Sequence, residues 1–249
     1  MEKIRTDTMG MPIRIVIARE GVDETLFDEV FTYLTEIDER FSTYKPTSEI
    51  EQINRHELRE QDWSDDMKEV FEIAEKTKRD TNGFFSIHTP EGRIDPSGVV
   101  KGWAIQNVFD LLLSKGEENI LVDIAGDVAT SGTNEKGEEW AIGITNPFNT
   151  DEVVKIVYPH GKGVATSGRY ARGAHIYNPH TGASVSGTLE SVTIVAPTIL
   201  EADLLATAVF AMGEEGLLYA EQKEGIEAYA IRSDKTSVMT SGFSKLTTL

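Results

Sequence analysis

The chain reads as an α+β protein: a mixed or antiparallel sheet flanked by helices, in one unit spanning 1–249. Three observations predict this. Stretches of helical periodicity and stretches of β-branched composition are interspersed without the strict alternation of a doubly wound sheet. No composition shift, linker or repeat divides the chain. And 249 residues with 39% hydrophobic and 27% charged side chains are enough to bury a large core without disulfides.

The elements follow in order. Ile13 to Ala18 is apolar and β-branched and predicts a strand. Leu26, Val30, Leu34, Ile37 and Phe41 recur at spacings of three and four, which predicts an amphipathic helix over 23–41 with Asp23 as N-cap. Met67, Val70, Phe71 and Ala74 predict a second helix over 65–80, with Gly83 just beyond it. A third is expected over 99–115, stopped by Gly116. Ile120 to Ile124, Trp140 to Ile144, Val153 to Tyr158 and 191–196 have strand composition, and Pro197 ends the last of these. A helix over 199–212 stops at Gly213. A short helix at 214–222 and strands near 226–231 and 236–240 close the chain.

Composition excludes several functions. There are no cysteines, so cysteine-ligated metals, disulfides and a cysteine nucleophile are out. A net charge of −18 opposes general nucleic-acid binding. No run approaches the ~20 apolar residues of a membrane span. The first residues, Met1-Glu2-Lys3-Ile4-Arg5, contain no apolar leader segment, so a cytoplasmic protein is expected as written, or an exported or anchored one if a leader has been removed.

Four constellations can carry chemistry. Asp203 and Thr207 stand one helical turn apart, and their oxygens suit a hard cation such as Mg²⁺; capping and back-bonding explain the same pair without a metal. Asp95-Pro96-Ser97-Gly98 leads into a helix, with Gly98 placed to let the backbone approach a ligand closely. Lys101 then falls in the first turn, where the dipole disfavours a cation unless an anion is bound there. A capped helix with a solvated lysine is the alternative. Thr166-Ser167-Gly168 reads as a small polar turn, followed by His175-Ile176 and an Asn178-Pro179…Thr181-Gly182 turn. Ser42-Thr43-Tyr44 follows the first helix and places an aromatic ring in a loop.

These segments stand in a particular order: Met9-Gly10-Met11, Phe41-Ser42-Thr43-Tyr44, Gly83-Phe84-Phe85-Ser86, Asp95…Lys101-Gly102, Asp123-Ile124-Ala125-Gly126-Asp127, Thr166-Ser167-Gly168, His175-Ile176…Asn178-Pro179, and Ala202-Asp203…Ala206-Thr207-Ala208. In this order, over about 6–245, they resemble the ApbE family of FAD:protein FMN transferases. The resemblance implies a T-fold-like core and FAD in a cleft, held near Met9, Ser42, Tyr44, Phe84, Phe85, Ser86, Asp95, Lys101, Thr166, Ser167, His175 and Ile176. It implies Mg²⁺ bound by Asp203 and Thr207, with main-chain oxygens near Gly98 and Ala206. His175, Lys101 and Asp95 become the candidate catalytic residues, and His175 and Asp95 the candidates for deprotonating the acceptor. The activity implied is cleavage of FAD, attachment of FMN to a threonine of a redox partner protein and release of AMP. A Mg²⁺-dependent FAD pyrophosphatase and a non-catalytic flavin-binding protein are the alternatives. Three departures from the family pattern stand out. Ser86 replaces an acidic residue, Ala125 replaces the first glycine of a Gly-Gly-Asp triplet, and Pro96-Ser97 replaces Leu-Gly.

Overall fold

The computed structural model describes residues 1–6, 8–169, 176–185 and 187–247. An antiparallel sheet of eight strands carries the fold, in the order β1-β2-β3-β4-β7-β8-β9-β10. Its strands are β1 (Glu2–Arg5), β2 (Ile13–Ile17), β3 (Ile120–Ile124), β4 (Asp127–Ser131), β7 (Gly163–Gly168), β8 (Leu189–Ala196), β9 (Glu227–Arg232) and β10 (Ser237–Met239). A separate hairpin pairs β5 (Ile142–Asn146) with β6 (Asn149–Val157). The α+β expectation holds, and every pairing between named strands is antiparallel.

The helices are α1 (Thr25–Phe41), α2 (Glu49–Asn54), α3 (Asp65–Asp80), α4 (Ser97–Ser114), α5 (Ile199–Met212) and α6 (Glu214–Glu221). Helix α1 forms because its apolar residues share one stripe, and Leu26, Val30, Leu34, Ile37 and Phe41 are all buried. Asp23 does not take the N-cap position, which falls to Glu24, but its carboxylate accepts from the Thr25 N–H at 3.0 Å. Helix α3 starts at Ser64, whose hydroxyl accepts from the Met67 N–H, an N-cap. Helices α4 and α5 are apolar on nearly all sides because they are buried on nearly all sides. They pack against one another and against β3, β7 and β8. The main core runs from Ile13, Ile15 and Val122 of the sheet to Phe27, Trp103, Val108, Ala206 and Phe210 of the helices. The opposite face of the sheet is covered in part by the β5–β6 hairpin and Phe243, where Ile144 and Val157 meet Val195, Tyr229 and Ile231.

Several expectations need correction. Strand β5 begins two residues later than composition suggested, because Trp140 is anchored separately by its indole N–H on the Ser131 carbonyl. Strand β6 starts four residues earlier than its apolar run. The third helix begins at Ser97, so Lys101 lies in its second turn rather than its first. Among the described strands and α-helices, four have no counterpart in the sequence reading: β1, α2, β4 and β7. The last two occupy the middle of the sheet. Thr166-Ser167-Gly168 is the end of β7, paired in register with Thr193, Val192 and Ser191, and not a turn. Packing explains the glycine at the start of this strand. A Cβ at Gly163 would stand 2.3 Å from the Ile199 Cα, so only glycine lets the start of α5 lie this close to β7.

Among the described residues no helix is long and apolar enough to cross a membrane.

The turn between β3 and β4 has only two residues, since Ile124 pairs with Asp127. Ala125 and Gly126 both take positive φ, +54° and +91°. This is the sign pattern of the tight hairpin turn that suits the sheet's twist, and it favours glycine at both positions. An alanine there carries part of the ~1–2 kcal/mol left-handed penalty. Ala125→Gly should therefore stabilise the protein by about 1 kcal/mol, raising Tm by about 2–4 °C in calorimetry. An unchanged or lower Tm would show that the turn is not strained.

Candidate active site

A cleft of about 1160 Å³ opens at the end of the sheet where β7, α4, α5 and the turn at Ala125 and Gly126 converge. Its walls are the Met9–Met11 segment, the loop after α1 at 42–45, the 84–91 segment, the α4 start and residues 176–184. The hairpin contributes Gly143, Thr145 and Thr150 to its rim.

Most of the residues selected from sequence meet here. Met9, Ser42, Tyr44, Phe84, Phe85, Ser86, Asp95, Gly98, Lys101, Thr166, Ser167, Ile176, Asp203 and Thr207 all line the cleft. Ala206 does not; it is wholly buried within α5. His175 lies outside the described residues. The side chains that do line it play unequal parts. Tyr44 stands on the rim with its side chain almost fully in solvent, 93% exposed. Phe85 is a core residue that reaches the cleft only as part of its floor. Phe84 meets the His180 ring edge to face at 4.5 Å. Ser86 spends its hydroxyl locally, accepting from the His88 N–H at 3.0 Å. The Tyr177 hydroxyl, donating to the His88 carbonyl at 2.6 Å, ties this wall to the 176–185 segment. Asp95 accepts from the Ser97 N–H at 3.0 Å and so shapes the entry to α4.

The floor is polar and almost dry. Asp203, on α5, directs its carboxylate at α4, where Oδ2 accepts from the Gly102 N–H at 2.8 Å. That bond belongs to an interior helical residue, so the two helices must touch backbone to side chain. A Cβ at Gly102 would lie 2.8 Å from the Asp203 Cβ. Close approach of the two helices thus depends on Gly102. Thr207, one turn along α5, lies with its hydroxyl 3.4 Å from the Ser167 hydroxyl of β7. The Thr166 hydroxyl is 2.9 Å from that of Thr193.

Lys101 reaches into this floor. Its ammonium pairs with Asp127 and lies 3.5 Å from Asp203 Oδ1. The cation near the start of a helix thus has its anions inside the protein, as two carboxylates. Asp127, the first residue of β4, was not selected from sequence. Its Oδ1 accepts from the Thr166 N–H at 3.0 Å, and its side chain is nearly inaccessible. The signal for it was a carboxylate directly after the Ala125-Gly126 turn; that it heads a buried central strand was not legible, because β4 is small and hydroxyl-rich. Burial is also the main reason the Asp203 carboxyl is pushed up to about 7; the Lys101 ammonium opposes that rise and the Asp127 carboxylate adds to it. When both carboxyls are ionised, one ammonium does not neutralise the pair. With the hydroxyls of Thr207 and Ser167 beside them, the oxygens form a hard donor group of the kind that suits Mg²⁺ rather than zinc. Among the described residues, no three His, Cys, Asp or Glu side chains converge as a metal cage. A cation here would rest on few protein ligands and keep positions open.

Comparison with known proteins places the chain in a family. The family model described as the ApbE family matches residues 9–91 and 88–230, most of the chain. The chain belongs to the ApbE family. A Haemophilus influenzae protein named FAD:protein FMN transferase is 33% identical over 171 residues, covering 64% of this chain and 49% of that protein. One of the same name from Vibrio cholerae is 37% identical over 145 residues, covering 54% and 43%. The chain spans about half the length of these relatives. Among solved structures, the flavin transferase ApbE from Vibrio cholerae superposes with a TM-score of 0.86 at 26% identity, over 99% of both chains. An ApbE protein from Thermotoga maritima shares the fold with a TM-score of 0.87 at 21% identity, covering 100% of this chain and 99% of that one. The chain therefore has the fold of these ApbE structures.

Gly102→Ala tests the contact on which the floor depends. The added methyl has only the fixed Asp203 side chain to displace, so a loss of about 1–3 kcal/mol is expected in denaturant unfolding. A variant as stable as the parent would mean that α4 and α5 separate freely.

Proposed function

We propose that this chain is a Mg²⁺-dependent FAD:protein FMN transferase. The observation that carries the reading is the imbalance on the cleft floor. Two buried carboxylates face one ammonium beside two hydroxyls, at the end of a cleft long enough for an extended ligand, in a member of the ApbE family.

Asp203 and Thr207 would hold the cation, with main-chain oxygens near Gly98 and Ala206 as further ligands. When bound, Mg²⁺ neutralises charge on the pyrophosphate oxygens. It also offsets the repulsion between an anionic substrate and a chain of net charge −18. In the reaction a threonine hydroxyl oxygen of the acceptor protein forms a bond to the phosphorus of the FMN half. The bond from that phosphorus to the bridging oxygen breaks, and AMP leaves with the electron pair. The hydroxyl proton passes to a base; Asp95 at the α4 entry and His175 are the candidates. The Lys101 ammonium, beside the carboxylates on the cleft floor, faces the charge that shifts between oxygens in this step. Tyr44 on the rim offers an open ring face on which the flavin stacks, while Met9, Phe84 and Ile176 supply apolar wall. The acceptor is a redox protein that presents a threonine at the cleft mouth.

Mass spectrometry of a candidate acceptor incubated with the protein, FAD and Mg²⁺ should show a covalent FMN adduct together with released AMP. Release of AMP without the adduct would favour water as the acceptor, and neither product would overturn the enzyme reading.

Two variants probe the parts separately. Asp203→Ala leaves Lys101 paired with Asp127, so the fold should survive while Mg²⁺-dependent AMP release falls by at least about a hundredfold. Full activity in that variant would remove Asp203 from the metal site. Tyr44→Ala removes an exposed ring, so Tm should change little. Loss of stacking should weaken FAD by about two- to tenfold in a fluorescence titration. An unchanged Kd would take Tyr44 out of the flavin site.

A further inference from the structure

We infer that Asp127 is a positioning residue: it holds the Lys101 ammonium to one side of the cleft floor and so keeps Asp203 open to the cation. The inference rests on the reading of Asp203 and Thr207 as cation ligands, and it gives a role to a residue outside that ligand set.

The carboxylate of Asp127 cannot wander. It follows the two-residue turn at Ala125 and Gly126, and β4 pairs on both sides, with β3 and with β7. Its Oδ1 is held by the Thr166 N–H at 3.0 Å. The other oxygen, Oδ2, is left facing Lys101. The lysine by contrast has a flexible four-carbon stem and a compact point charge, and it settles wherever the nearest anion draws it. Two anions are within reach. The ammonium sits closer to Asp127 than to Asp203, from which it stands 3.5 Å. Asp127 therefore holds the lysine more closely, and the ammonium stands back from Asp203 Oδ1 at 3.5 Å.

Without the Asp127 charge, Asp203 is the nearest remaining carboxylate to Lys101 among the described residues. The ammonium then moves onto it and occupies the oxygen that a divalent cation needs. Lys101 would change from a neighbour of the cation into its competitor.

A double-mutant cycle tests this with Mg²⁺ alone, by calorimetric titration of the full chain without flavin. The variants are Asp127→Asn, Lys101→Met and the two combined. Asparagine keeps the shape and an oxygen acceptor for the Thr166 N–H, and thermal unfolding monitors the fold in each case. Asp127→Asn should weaken Mg²⁺ by about tenfold or more. Simple loss of a nearby negative charge would also weaken binding, so the coupling decides. Lys101→Met should strengthen Mg²⁺ binding by at least about fivefold more in the Asp127→Asn background than in the parent. That excess is the signature of a competing lysine. Equal effects of Lys101→Met in both backgrounds would overturn the inference, as would an Asp127→Asn variant with the parent's affinity. Should Asp127→Asn fail to fold, Asp127→Thr goes through the same cycle, since threonine suits a strand and its hydroxyl can accept from Thr166. A parent protein whose Mg²⁺ binding survives Asp203→Ala unchanged would overturn the ligand assignment itself, a result distinct from additivity in the cycle.

Discussion

Burying two carboxylates beside one ammonium is costly unless backbone and hydroxyl groups complete their shells, and much of this architecture serves that requirement. Asp203 is accommodated because the Gly102 N–H reaches it, and it reaches because no side chain separates α4 from α5 at that point. Asp127 is accommodated because the Thr166 N–H of the neighbouring strand reaches it. Lys101 stands between them and ties β4, α4 and α5 to one another. Each contact constrains the next. The glycine at 163 brings α5 down on β7, which sets the Thr207 hydroxyl beside that of Ser167.

The rigid floor contrasts with the walls around it. The floor belongs to central strands and buried helices, where the helix–helix and sheet contacts are densest and rotation is least free. The walls are loops: 42–45 after α1, 84–91 before α4 and the 176–185 segment. They are fastened by single side chains such as Tyr177 and Asp95. This division suits a site in which phosphate chemistry demands fixed charge while the two ends of a long ligand and an approaching acceptor need access. The Tyr44 ring, held by no packing contact of consequence at 93% exposure, belongs to the second category.

The three departures from the family pattern fall on different parts of this scheme. Ser86 turns inward to its own chain and offers the cleft no charge. Ala125 keeps a turn that prefers glycine, at the head of the strand that carries Asp127. Pro96 and Ser97 start α4 without loss, since proline is suited to a helix entry and the Asp95 carboxylate takes the Ser97 N–H.

What the sequence alone determined was local and periodic. The stripe from Leu26 to Phe41, the helix over 65–80, the apolar α5 and its stop at Gly213 are all written in spacing, because a helix chooses its residues within one or two turns. The Asp203–Thr207 pair was legible for the same reason, as were the segments whose order matched the ApbE family. The tertiary structure decided the rest. Strands β4 and β7 have small, hydroxyl-rich sequences with little strand preference of their own; they are strands because they are hydrogen-bonded on both edges and pressed between helix and hairpin. Gly102 and Asp203 are 101 residues apart, and Asp127 and Lys101 sit on different elements, so no spacing announces their contact. The lysine showed this most directly. From sequence its place near a helix start called for an external anion, and the fold supplied two internal ones, because only three-dimensional packing brings distant carboxylates into the same dry pocket.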